Sequence, residues 1–167
     1  GWLGVDVEVV RRATQTKSAG KSENRPTADL GYDLKNIEHR VEYEALKVVL
    51  QFPDESLQWY QSVESAAFTS TTLRALHESL FNELMECGFE ESHTWSDDML
   101  QKHPLARQLI VESLQIRESQ SIALYVQSVL ARLLELDASR RITDLKGQVQ
   151  RAPEGSDEQA ELFKQLI

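Results

Sequence analysis

One cysteine, Cys87, leaves no partner for an internal disulfide, so nothing staples this chain covalently and its thiol fits a reducing compartment. Glycine and proline are scarce, seven and four in 167 residues. A turn-rich sheet protein needs more of both, and the frequent Leu, Glu, Gln, Arg and Ala favour helices instead. No apolar run approaches the roughly 20 residues of a membrane span, and the N-terminus lacks the charged-then-apolar order of a secretory signal. The chain is therefore expected to be cytoplasmic, with no membrane partner. Basic residues are also in deficit, 18 against 27 acidic ones, for a formal charge of −9. A surface of that sign repels phosphate backbones, which argues against strong direct nucleic-acid binding.

The usual marks of catalysis are missing too. There is no glycine-rich phosphate loop and no nucleophile elbow, and Cys87 has no basic neighbour in sequence to lower its pKa. Cys87, His93 and His103 fall within a stretch of seventeen residues, but their spacing matches no paired-ligand motif for a structural metal. His39 and His77 lie on helical segments beside polar residues and read as surface or boundary histidines. Glu90-Glu91 and Asp97-Asp98 read as solvated charge near helix starts. No catalytic, cofactor-binding or metal-binding residue is expected in this chain.

What is present is helical periodicity. Residues 1–14 suggest a short opening helix with Asp6 as its cap, and Lys17 to Asp29 is polar with almost nothing to bury, a linker. From Asn36, the residues Ile37, Val41, Ala45, Leu46, Val48, Val49 and Phe52 recur at helical spacing until Pro53 stops the run. Asp54 is the expected cap of a short second helix carrying Leu57 and Tyr60. Ser70 caps a third, striped by Leu73, Leu76, Leu80, Phe81 and Leu84, and Gly88 sits where a left-handed terminus is expected. Ser96, followed by Asp97 and Asp98, opens another, and Pro104 opens the next, with Leu105, Leu109, Ile110 and Leu114 inward. No alternating period-two segment interrupts the series, so the expected fold class is all-α.

The longest helical stretch, Ser121 to Gln150, changes its apolar face. At about 100° per residue, Ile122, Val126, Val129, Leu133 and Leu136 form one stripe, and Ala138, Ile142, Leu145 and Val149 form another roughly opposite. One straight helix must then serve two cores. The first half closes a helical subdomain; the second pairs with the final helix, capped by Ser156 after a turn at residues 151–155 and carrying Leu162, Phe163, Leu166 and Ile167 on one side. A bend or hinge is expected near Asp137-Ala138-Ser139. Arg140, Arg141, Lys146 and Arg151 make this segment locally basic in an acidic chain, which suits an acidic partner helix or groove.

Several blocks in order carry a family resemblance: IEHRVEYEALKVVLQFP at 37–53, AAFTSTTLRALHESL at 66–80, and the run from Tyr125 through RRITDLKGQVQR at 140–151 to AELFKQLI at 160–167. Residues 35–167 resemble the C-terminal helicase-binding region of bacterial replicative primases of the DnaG type, particularly those of actinobacteria. The resemblance implies a multi-helix subdomain, 35–137, joined by a long helix to a C-terminal helical hairpin, 138–167. It also implies that residues 1–15 are the end of a primase polymerase core and 16–34 a flexible linker. The implied partner is the N-terminal domain of a replicative DnaB-type helicase, anchored mainly by the hairpin. Catalytic parts of that family lie upstream, so no catalytic role carries over. The residues expected at the partner surface are Arg140, Arg141, Lys146 and Gln150 for polar contacts, and Phe163, Leu166 and Ile167 for the apolar part. A self-associating module is the rival reading, with the chain monomeric or a weak or domain-swapped dimer.

Overall fold

The structure, a computed structural model, describes residues 30–88 and 93–167. Among them are seven α-helices and no strand: α1 (Ile37–Gln51), α2 (Pro53–Tyr60), α3 (Thr71–Glu86), α4 (Asp97–Lys102), α5 (Pro104–Val111), α6 (Ile122–Arg151) and α7 (Asp157–Leu166), with a short 3-10 turn at Ser65–Ala67. The all-α expectation holds. The opening helix, its Asp6 cap, the expected 16–34 linker as far as Asp29 and the Glu90-Glu91 pair lie outside the described residues. In the last part of that linker Tyr32 is 8 % exposed within the core cluster, and the Gly31 carbonyl accepts from Ser70 Oγ at 2.8 Å.

Local chemistry sets most helix starts. Side-chain oxygens of Asn36, Ser70, Ser96, Ser121 and Ser156 each accept a backbone N–H from the first turn of α1, α3, α4, α6 and α7, satisfying donors that have no intrahelical partner. Pro104 is the first residue of α5, as expected. Pro53 plays the same part in α2, so Asp54 falls in the first turn rather than at the cap; the fixed φ of proline suits that first helical position. Gly88 closes α3 at φ 74°, a conformation with no steric penalty only for glycine.

The subdomain is built around α1, not around the long helix. Ala45 to Leu50 are consecutively buried, and α1 packs against α2, α3, α5 and α6. A helix covered on all sides is a central helix. Val126, Leu130 and Leu133 of α6 close the same cluster, together with Leu73, Leu76, Leu80 and Leu84 of α3 and Leu109 of α5.

Burial all round brings polar groups inside, and each finds partners. The Glu42 carboxylate accepts from Thr69 N at 2.7 Å, Thr69 Oγ1 at 2.6 Å and Ser70 N at 3.2 Å, which ties α1 to the start of α3. The Lys47 ammonium lies 3.0 Å from Glu44 and 3.2 Å from Glu112. The Tyr43 hydroxyl donates to the same Glu112 at 2.5 Å. The Trp95 indole N–H donates to the Leu50 carbonyl at 2.9 Å. Hydrogen bonding of this completeness is what makes buried polar groups tolerable.

His77 is a correction to its surface or boundary reading. It is 1 % exposed, stacked on Phe68 with ring centroids 4.6 Å apart, and its Nδ1 is 2.6 Å from the Tyr60 hydroxyl. The position shares the inward stripe of α3 with Leu73 and Leu80, and an uncharged imidazole with one hydrogen-bond partner packs there like an aromatic. Burial lowers its pKa to about 4.

Candidate functional site: the projecting hairpin

The long helix runs without interruption from Ile122 to Arg151, through the expected hinge at residues 137–139. Its inward positions are Val126, Leu130, Leu133 and Asp137 in the first half and Val149 in the second, flanked by half-buried Leu145 and Ala152. On a helical wheel at about 100° per residue, these two faces differ by roughly a quarter turn, less than the half turn read from the apolar pattern. The difference arises because Ile122 and Ile142 are exposed, at 40 % and 46 %, while Leu130 and Asp137 take the inward places. Val149 is buried at 8 % but lies outside the main core cluster.

The cover of Val149 is α7, whose main packing partner is α6. Ser156 Oγ accepts from Gln159 N at 3.1 Å, and Gln159 Oε1 accepts from Gly155 N at 3.0 Å, a reciprocal arrangement that fixes where α7 begins. Leu162 and Leu166 are half-buried on its inner side. At the tip, Gln148, Arg151, Ala152, Pro153, Glu158 and Leu162 line a small open groove of about 230 Å³.

The predicted contact residues separate into two groups. Arg140 and Arg141 face the subdomain. Arg140 Nη2 donates to the Ala67 carbonyl at 2.7 Å and lies 3.5 Å from Asp137, with Glu38 3.9 Å from Nη1. Its Nε is buried with no hydrogen-bond partner among the described residues. Arg141 donates to Glu64 at 2.7 Å, and its Nε is 2.8 Å from Asp137. The hydrogen bond to Glu64, then the Asp137 charge, raises its pKa further, so it is a permanent cation.

Lys146 and Gln150 point away from both cores and are exposed; Lys146 makes no ion pair among the described residues. Phe163 is 50 % exposed and Ile167 fully so, while Leu166 turns inward. The outward surface of the hairpin is therefore apolar at Ile142, Phe163 and Ile167, with Lys146 and Gln150 as polar groups. Sequence reasoning missed Ile142 as a surface residue, and Asp137 and Glu64 as anchors. The signal for Asp137 was available, because it stands three and four residues before two arginines.

The enzyme-like residues are engaged elsewhere. His93 lies 3.2 Å from Glu83 and packs edge-on to Trp95, His103 shares a hydrogen bond of 2.7 Å with Ser79, and Cys87 is exposed. Among the described residues no three histidines, cysteines or carboxylates converge as a metal set. Nor is any described helix long and apolar enough to cross a membrane.

No family model and no curated protein matches the chain. Among solved structures it is similar to the helicase binding domain of primase from Mycobacterium tuberculosis, at 26 % sequence identity over 76 % of this chain and 83 % of that one, with a TM-score of 0.54. The fold is that of a primase helicase-binding domain. This agrees with the family resemblance carried by residues 35–167. The matched domain is named for binding, not for a reaction.

Proposed function

We propose that this chain is the non-catalytic module that docks a bacterial DNA primase on the replicative DnaB-type helicase. The observation that carries the reading is the combination of the primase-domain fold with a hairpin that projects beyond the subdomain core and leaves Ile142 and Phe163 about half exposed. In this reading residues 35–137 form the subdomain, 138–167 the anchoring hairpin, and 1–15 the end of a polymerase core. Lys146, Gln150, Phe163 and Ile167 supply the contacts, with Leu166 on the inner side of α7. The partner is the helicase N-terminal domain, the compartment is the cytoplasm, and no cofactor is needed. Docking acts by effective concentration: a tethered polymerase core meets freshly unwound template far more often than a free one.

Calorimetric titration of this chain into the cognate helicase tests the reading. Saturable binding at micromolar concentrations supports it; no heat and no co-elution on gel filtration at tens of micromolar contradict it. The same exposed apolar residues also suit self-association, and light scattering separates the two. A tight homodimer indifferent to helicase favours the self-associating reading.

A further inference from the structure

We infer that Arg140 and Arg141 are positioning residues, forming with Asp137, Glu64 and the Ala67 carbonyl a charged joint that fixes the direction of the hairpin. The inference takes its functional meaning from the docking reading, but its geometry is independent of it. Three parts of the subdomain converge on the two guanidinium groups. Glu38 belongs to α1, Glu64 and Ala67 to the connection between α2 and α3, and Asp137 to α6 itself.

The receiving side of the joint is rigid. Ala67 and the following Phe68 are buried at 1 % and 0 %, and Arg74 donates to the Phe68 carbonyl at 3.0 and 2.6 Å, so the connection is fastened to α3. The helix side is weak. Between Ala138 and Val149 stand Ser139, Ile142, Thr143 and Gly147, all poorer helix formers than alanine, and glycine costs about 1 kcal/mol in a helix interior. The Thr143 hydroxyl donates back to the Ser139 carbonyl at 2.9 Å, a bond that favours bending. Continuity of α6 through this segment thus leans on the joint and on α7. From Arg141 to the tip is about eleven residues, or roughly 17 Å, so a bend of about 20° at the joint would swing the tip by about 6 Å.

The joint predicts that neutralising it loosens the hairpin without unfolding the subdomain. In a Cys87→Ser background, spin labels at Gln58→Cys on α2 and Glu154→Cys at the tip report the distance between subdomain and hairpin by pulsed electron resonance. The parent should give one narrow distribution. Arg140→Gln with Arg141→Gln should broaden or shift it by about 6 Å, while Lys146→Gln with Lys164→Gln, the same charge change on the outer side, should leave it unchanged. Glu64→Ala removes only an exposed carboxylate and should broaden the distribution in the same sense; it serves where the double arginine variant loses helical circular dichroism. An unchanged distribution in both joint variants, or equal broadening in the outer-face control, overturns the inference. No helicase enters the experiment, so failure of docking and failure of the joint are read separately.

Discussion

Acidification from pH 7 to about 4.5 should destabilise the subdomain through one imidazole. His77 sits between Phe68 and Tyr60, with ring centroids 4.6 and 5.2 Å away. Its neighbouring titratable group, the Tyr60 phenol, is itself held protonated, because burial pushes its pKa well up. In the unfolded chain the imidazole takes a proton near its ordinary value of 6.5, whereas the folded protein resists until about 4. Between those values the unfolded state binds more protons, so stability rises with pH. The contribution is complete above 6.5 and lost as pH falls towards 4. At about 1.4 kcal/mol per pH unit the full window is worth roughly 3 kcal/mol, and about 2.5 kcal/mol is gone by pH 4.5. Carboxylates titrate in the same range, so the assay compares urea unfolding of the parent with that of His77→Gln, which can still hydrogen-bond to Tyr60 but cannot titrate. The parent should lose about 2.5 kcal/mol more than the variant, a midpoint difference of about 1–2 M urea for a protein of this size. A difference below about 0.5 kcal/mol refutes the placement of a neutral buried histidine.

Two further outcomes test the packing. Glu42→Ala leaves the Thr69 and Ser70 amides and the Thr69 hydroxyl without their buried acceptor; it should cost about 3–5 kcal/mol and lower the melting temperature by about 10 °C in calorimetry. Gly31→Ala combines a positive φ of 71° with a Cβ only 2.2 Å from Thr72 Oγ1. Unfolding in denaturant should show a loss of about 1–3 kcal/mol, of which Thr72→Ala in the same chain recovers only the steric part.

How far the sequence foretells the molecule depends on how local each determinant is. Serine caps, Pro104 and Gly88 were legible because a cap acts within one helical turn. The all-α class followed from periodicity sustained through α1, α3, α5 and α6. Non-local choices were not legible. Nothing in the spacing of α1 tells that Glu42 meets Thr69 or that Lys47 meets Glu112, sixty-five positions away. His77 looked like a boundary residue because its aromatic neighbours Tyr60 and Phe68 come from other segments. On α6, two candidate faces were apolar enough to bury, and the packing of α1 and α7 selected Leu130, Asp137 and Val149 over Ile122 and Ile142. The same step divided the basic residues, turning Arg140 and Arg141 inward to Ala67 and Glu64 and leaving Lys146 and Gln150 outside.

The central claim is that the outer face of the hairpin meets the helicase. Amide and methyl resonances of the isotopically labelled chain, followed while unlabelled helicase N-terminal domain is added, test it residue by residue. Ile142, Lys146, Gln150, Phe163 and Ile167 should shift or broaden first, while Leu80 and Leu109 in the subdomain core stay in place. Saturating helicase that leaves those hairpin resonances unmoved, or moves only residues of the subdomain, would contradict it.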